Sequence, residues 1–270
     1  MTCRNVRSLF NLAQSLEMCE TLLIINADDL GATVPVNDAI FALMDQGLVT
    51  SATIMANADG FQDAARRLKE HPDCSFGVHL NLTAFRPLRP TPGLAPLLNS
   101  SGCMSRFAGG VRWTPRLLFA VYAEWCAQVE RCLDAGIRVS HFDAHHHMHT
   151  LPWLFPVLKA LQLRYGISRV RGTINILPAA SMEGLRASKK SLYRHLMKAI
   201  VATRITEGLG SFLDFQSRTE KGLSCAYKSI ELMVHPGATS PGGLKEEALL
   251  HRDWRSQLTF PYRLGTYWDL

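Results

Sequence analysis

From about residue 21 the chain alternates short, wholly apolar runs with longer stretches in which apolar residues recur every three or four positions. Residues 21–27 (TLLIINA) form the first apolar run; it ends in Asp28-Asp29-Leu30-Gly31, which predicts a buried strand entering a turn. Residues 36–46 carry apolar side chains at 36, 39, 40 and 43, the stripe of an amphipathic helix, and Gly47 stands at the C-cap position. The rhythm then repeats. Strands are predicted over 48–56 and 74–83, and a helix over 61–70 between them. A helix over 114–135 closes on Gly136, and a strand over 138–149 flows into a histidine-rich end. A helix over 152–165, a strand over 168–172, a short buried strand over 230–234, a helix over 245–258 and a last strand over 262–267 complete the pattern. Between 175 and 227 only helical propensity around 186–207 stands out.

Strands and helices alternating at this spacing predict parallel strands joined by crossover helices. Six or seven such units in 270 residues predict a single α/β domain, a (β/α) barrel of about seven strands. Residues 1–20 read as an N-terminal extension and 21–270 as the domain itself. One segment breaks the rhythm: residues 83–112 crowd five prolines or glycines from Pro87 to Pro96 and then Gly102, Gly109 and Gly110, the composition of a lid or a substrate wall.

Composition adds bounds. The seven cysteines are scattered without a Cys-x-x-Cys pair, which predicts reduced thiols and a cytoplasmic protein. No stretch supplies the roughly 20 apolar residues of a membrane span, and the N-terminus lacks the apolar core of a signal peptide, so a soluble protein is expected. The net charge of +6 is densest over 186–204, where basic and apolar residues alternate at roughly helical spacing. A solvated helix face is the plainer reading, and contact with a membrane surface or an acidic substrate is the alternative. Nucleic acid is not expected, because no reading motif is present and the basic residues lack aromatic stacking partners. A homodimer is left open.

The unusual polar residues fall at the ends of the predicted strands, where barrels carry their chemistry. Asp28 and Asp29 end the first, His79 lies near the end of the third, the His141–His149 group ends the next, and His235 ends a late one. If residues 141–149 are extended, His141, Asp143, His145, His147 and His149 share one face and His146 turns away. Imidazole nitrogens with a carboxylate oxygen suit zinc or a similar divalent ion, and Asp143 could sit behind a ligating imidazole to set its tautomer. Two adjacent carboxylates can divide the work, one binding a metal and the other acting as general base, although an aspartate ahead of a helix is often only an N-cap. His79 and His235, each taken alone, read more readily as core histidines; it is their shared place at strand ends that raises them.

Together, Asn26-Ala-Asp-Asp-Leu-Gly31, Gly77-Val-His-Leu-Asn-Leu-Thr83, Ser140-His-Phe-Asp-Ala-His-His-His-Met-His149, His235-Pro-Gly and Tyr262-Arg-Leu-Gly-Thr-Tyr-Trp-Asp-Leu270 resemble, in order, the YdjC-like carbohydrate deacetylase family, which includes chitooligosaccharide and hopanoid-associated deacetylases. The resemblance implies a barrel related to the polysaccharide deacetylases, acting on N-acetylglucosamine-type groups with one divalent metal ion, magnesium or zinc. By it, Asp29, His79 and His145 would be metal ligands, Asp28 the general base, and His235 the acid for the departing amine, with His147 and His149 as alternatives for that acid. Asp143, His147, His149 and Arg171 would lie behind the ligands or against the substrate. The N-terminal extension and the basic segment fall outside the matching motifs. Rival readings are another metal-assisted hydrolysis, of a phosphoester or a non-sugar amide, and a metal-binding protein without catalysis.

Overall fold

The computed structural model describes residues 20–105, 110–173, 192–220 and 227–270. Seven parallel strands make one sheet: β1 (Thr21–Leu30), β2 (Ser51–Ile54), β3 (Ser75–Leu80), β4 (Val139–Ala144), β5 (Gly208–Ser211), β6 (Ser229–Val234) and β7 (Tyr262–Leu264). Among the described residues, α-helices between or after them include α1 (Val34–Asp45), α2 (Phe61–Arg67), α3 (Pro115–Asp134), α4 (Phe155–Tyr165), α5 (Phe212–Thr219) and α6 (Pro241–Leu250). Their starts follow a shared local logic. Thr33, Thr114, Ser211 and Ser240 each accept a first-turn backbone N–H, and a proline preset for helix follows in three of the four.

The strands run in the order β4-β3-β2-β1-β6-β5, with β7 against the first residues of β1. Beyond β4 the hydrogen bonding continues through single parallel bridges, Phe142 with Val170 and Arg169 with Arg204. Arg204 lies four residues before β5, whose partner is β6. Paired backbone therefore runs from β1 through β2, β3, β4 and these bridges to β5, β6 and β1 again. The α/β fold and its seven parallel strands agree with the sequence reading.

Each strand separates two environments by its period of two. Leu23, Ile25 and Ala27 of β1 join Ala52, Ile54, Val78, Leu80, Phe142, Ile230, Leu232 and Val234 in the large core that the helices cover. Leu22 and Ile24 point the other way and pack only with Tyr267 and Leu270. Above this small floor the interior is polar: Asn26, Asp28, Thr53, His79, Asp143, Arg171 and Glu231 are all buried.

Several elements differ from the sequence reading. The strand expected over 138–149 stops at Ala144, and His145–Thr150 is a 3-10 turn with His146 and His147 in the left-handed region (φ 52° and 55°). Alternation therefore ends at Asp143, and the single face expected for five residues does not form. Residues 168–172 contribute bridges in place of a full strand. The last helix is earlier than expected because Ser240 and Pro241 start it, and it ends at Leu250. Strand β5 and helix α5 fall where no pattern was legible: Gly-Leu-Gly-Ser offers only one apolar side chain to read. Residues 192–199 are helical, within the segment expected to be. The N-terminal extension (apart from Glu20), residues 106–109 of the Pro/Gly-rich segment and residues 186–191 of the basic stretch lie outside the described residues. Among the described residues no helix is long and apolar enough to cross a membrane, and Cys74, Cys103, Cys126 and Cys132 are free thiols.

The Pro/Gly-rich segment is anchored, not loose. Buried Glu124 of α3 accepts the backbone N–H groups of Leu88 (3.0 Å) and Arg89 (2.7 Å), and Asn57 donates to the carbonyls of Ala84 (3.2 Å) and Arg86 (3.0 Å). These bonds fix the start of the segment just beyond β3.

Candidate active site

The C-terminal ends of β1, β3 and β4 bring three ligand-type atoms together. Asp29 Oδ1 lies 2.9 Å from His145 Nδ1 and 3.3 Å from His79 Nε2, and those nitrogens are 3.4 Å apart. Asp29 Oδ1 is buried and makes no hydrogen bond of ordinary geometry. One strand would not normally offer two consecutive carboxylates to one site, since neighbours point to opposite faces. Here the pairing of β1 with β2 slips between Ala27 and Leu30, and Asp29 takes a left-handed conformation (φ 65°). That bulge turns Asp29 toward the strand end while Asp28 keeps the inward direction of Asn26.

His79 is oriented from behind. Its Nδ1 lies 2.7 Å from Asp143 Oδ1, and Thr53 donates its hydroxyl to Asp143 Oδ2 at 3.0 Å. With Nδ1–H committed to a carboxylate, Nε2 is left to face Asp29 and His145. Burial disfavours charge on His79, yet Asp143, Asp29 and Asp28 outweigh it and push the pKa up to about 10. The same carboxylates favour any cation at Nε2. Burial also opposes ionisation of Asp29, but the imidazoles of His145 and His79 prevail and hold its carboxyl well below the usual range.

Asp28 is a different carboxylate. Arg171 grips it with two nitrogens, Nη2 at 2.5 Å from Oδ1 and Nη1 at 2.8 Å from Oδ2, and Asn26 donates to Oδ1 at 2.9 Å. Despite burial, Arg171 keeps Asp28 ionised well below the ordinary carboxylate range. Arg171 itself is buried among three carboxylates, with Asp143 Oδ2 at 2.9 Å and Glu231 Oε1 at 2.8 Å besides Asp28.

His235 stands at the open side, its side chain 36% exposed, with Nε2 3.9 Å from Asp28 Oδ2. Glu246 of α6 holds it in place, accepting the His235 backbone N–H at 3.0 Å with the ring Nδ1 at 3.4 Å from the same oxygen. Burial works against its protonation, but Glu246, Asp28 and Asp29 raise its pKa above the usual imidazole value.

Of the residues singled out in the sequence, Asp28, Asp29, His79, Asp143, His145, Arg171 and His235 form one contiguous group. His147 is half-buried, and burial with the Arg171 charge pushes its pKa down to about 4, which leaves it a neutral imidazole. His149 is buried with both ring nitrogens unpartnered, 6.4 Å from the His147 ring. His141 belongs to the barrel floor, stacked on Tyr267 with ring centroids 3.4 Å apart. His146, expected to turn away, packs against His145 (4.0 Å between centroids) and meets Thr83 Oγ1 at 2.8 Å. The left-handed turn at 146–147 accounts for this, because it abolishes the alternation that the expectation assumed. Thr33, not an aspartate, caps α1, so Asp28 and Asp29 are free of that duty.

Thr53, Asn26, Glu231 and Glu246 were not singled out. Glu231 and Asn26 did carry a signal, each a polar residue set directly between apolar ones, Ile230 and Leu232 for Glu231 and Ile25 and Ala27 for Asn26. Glu246 carried none; it is one of several charges on a helix.

The YdjC-like protein family model matches residues 22–260. The chain is 40% identical over 142 residues to a carbohydrate deacetylase of Geobacillus stearothermophilus, covering 53% of this chain and 56% of that protein. It is 39% identical over 147 residues to a carbohydrate deacetylase of Vibrio campbellii, covering 54% and 57%. The chain thus spans about half the length of the curated relatives it matches. A crystal structure of a proposed cellobiose-phosphate cleavage protein from Enterococcus faecalis V583 has the same fold, with a TM-score of 0.74, 23% identity, and coverage of 93% of this chain and 98% of that one. With 239 consecutive residues matched, including both aspartates, the ligand-type histidines and His235, the chain belongs to the YdjC-like family.

Proposed function

We propose that this protein is a metal-dependent hydrolase that removes the acetyl group from an N-acetylated amino sugar of the N-acetylglucosamine type. The carrying observation is the convergence of Asp29 Oδ1, His79 Nε2 and His145 Nδ1 beside a second carboxylate that is locked ionised by Arg171. The donor set fits a divalent cation: one oxygen and two imidazole nitrogens, an Asp29 oxygen left without a hydrogen bond, and His79 oriented by Asp143. Asp29, His79 and His145 would hold the ion; zinc and magnesium are both candidates. When bound, the ion supplies Lewis-acid polarisation and a lowered pKa for water.

The remaining tasks fall to the chain. Asp28 takes the proton of the attacking water; Arg171 and Asn26 fix its orientation, and Arg171 keeps it ionised with its lone pairs free to accept. His235, whose protonated form Glu246 and the aspartates favour, delivers a proton to the departing nitrogen. At 3.9 Å the acceptor and the donor stand side by side. His147, neutral and half-buried, suits hydrogen bonding to the sugar. The similarity to carbohydrate deacetylases supports the sugar amide over a phosphoester.

The deciding experiment measures acetate release from N-acetylated mono-, oligo- and lipid-linked sugars by chelated protein, with and without added zinc, magnesium or manganese. Metal-dependent release from one of them is expected. Tight metal binding without release from any of them would overturn the deacetylase reading.

A further inference from the structure

The floor of the barrel is linked to the candidate general base by an unbroken set of contacts. Tyr267 belongs to the 3-10 turn Tyr267–Asp269, and its side chain is fully buried. Its hydroxyl donates a short hydrogen bond to Glu231 Oε2. The other Glu231 oxygen accepts from Arg171 Nε at 2.8 Å, with Nη2 in ion-pair contact at the same distance. The two remaining ends of Arg171 hold Asp28 and Asp143. Three of these contacts are hydrogen bonds to carboxylates, Nε to Glu231 and Nη1 and Nη2 to Asp28; Nη1 also reaches Met233 Sδ at 3.7 Å, and the Nη2–Glu231 and Nη1–Asp143 contacts are ion pairs. A planar fork held on its Nε side by Glu231 and on its Nη side by Asp28 cannot turn without losing one of them, so the place of Glu231 helps to fix its orientation.

Among the described residues, Glu231 in turn is anchored besides Arg171 by the Tyr267 hydroxyl. Tyr267 has little freedom of its own. Its backbone N–H donates to Ser75 Oγ at 3.0 Å, and its ring stacks on His141, 3.4 Å between centroids and 8° from parallel. Behind His141 is Gly77, where a Cβ would meet the imidazole at 2.6 Å. Leu22 and Ile24 close the other side of the tyrosine. The phenol oxygen is therefore held by packing on β1, β3 and β4.

We propose that Tyr267 is a positioning residue for hydrolysis: its hydroxyl, acting through Glu231 and Arg171, holds the Asp28 carboxylate in its working orientation. This inference rests on the reading of Asp28 as general base for deacetylation. A purely structural role would need only the aromatic ring, which fills the floor against His141, Leu22 and Ile24.

The test is Tyr267→Phe, which keeps the ring and removes the hydroxyl, beside Glu231→Gln and the double variant. Three quantities are read: kcat and KM for the sugar that releases acetate, metal content, and exchange of the Arg171 Nε–H proton with water by nitrogen-15 NMR. The Arg171 signal is assigned by its loss in Arg171→Lys. The expected result for Tyr267→Phe is a fall in kcat of about 10- to 100-fold, the scale of a misplaced catalytic group, with KM and metal content unchanged and faster Arg171 Nε–H exchange. The double variant should lose no more kcat than Glu231→Gln alone, since both act through one path. Unchanged kcat and unchanged Arg171 exchange in Tyr267→Phe would overturn the proposal, as would losses that multiply in the double variant. If the wild type releases acetate from no sugar, the deacetylase reading fails by itself, and the Arg171 exchange still decides whether the phenol sets the guanidinium.

Discussion

The two faces of one sheet solve opposite problems. On the outer face Leu23, Ile25, Val78, Phe142, Ile230 and Leu232 are buried against helices, and removing their area from water contributes roughly 25 cal/mol per Å². The inner face, equally shielded, carries Asp28, Thr53, His79, Asp143, Arg171 and Glu231. Ordinary barrels fill that space with layers of branched aliphatics; here, among the described residues, Leu22, Ile24 and the Tyr267 ring, with Leu270 against them, form a small apolar cluster at the floor. Burying one cation among three carboxylates costs desolvation that the pairing at best offsets. What the inner face gains is orientation, since Arg171 is held by Glu231, Asp28 and Asp143 at once and His79 Nδ1 has its carboxylate partner. Stability should therefore be concentrated outside and activity inside.

That contrast can be tested by substitutions on either face. The largest effect belongs to Asp28→Asn, which is nearly isosteric but cannot accept a proton: turnover should fall by about 10²- to 10⁴-fold, while metal content measured by elemental analysis stays at the wild-type level. Metal loss in that variant would mean that Asp28 and Asp29 have exchanged roles. Next comes Arg171→Met, which strands three buried carboxylates without their cation; urea unfolding should show a loss of about 3–5 kcal/mol, and a near-neutral result would show the interior to be better hydrated than its burial suggests. On the outer face, Ile25→Ala should cost about 2–5 kcal/mol in the same assay and leave the kcat of the folded protein unchanged. A changed kcat there would break the separation between the faces.

The smallest effect concerns pH. His235 must be protonated to act as an acid, and its folded pKa is raised, so kcat/KM should decline as pH rises through a value above about 6.5, the ordinary imidazole pKa. Glu246→Gln removes one of the charges that raise it, and the alkaline limb should move toward lower pH by about one unit or less. A limb that does not move would assign the acid to another group. The linked stability has the same sign: the contribution of His235 is complete below its unfolded pKa and is lost as pH rises through the raised folded value.

Much of this was legible in the chain because burial writes itself into composition. The runs over 21–27 and 230–234 read as strands, since short apolar runs bounded by turn residues fit buried strands, and both fall inside β1 and β6. The polar residues at their ends stood out against that background, and Asp28, Asp29, His79, Asp143, His145 and His235 were all identifiable in it. Strand β5 was not, because Gly-Leu-Gly-Ser is held by its neighbours' hydrogen bonds and not by its own side chains. The five-residue histidine face failed for a related reason: a left-handed turn at His146 and His147 is a property of the packed loop, not of the local pattern.

By itself, then, the sequence determined which segments are buried and which reactive side chains stand at their ends, because hydrophobic periodicity and strand polarity are local quantities. Only the tertiary structure decided which of two neighbouring aspartates turns to the histidines and which is gripped by Arg171, since that depends on a bulge at Asp29 and on a partner 143 residues away. It also decided that the inner face is ionic and that Tyr267 closes it from below, because the two faces of an apolar strand are distinguished only by what the rest of the chain packs against each.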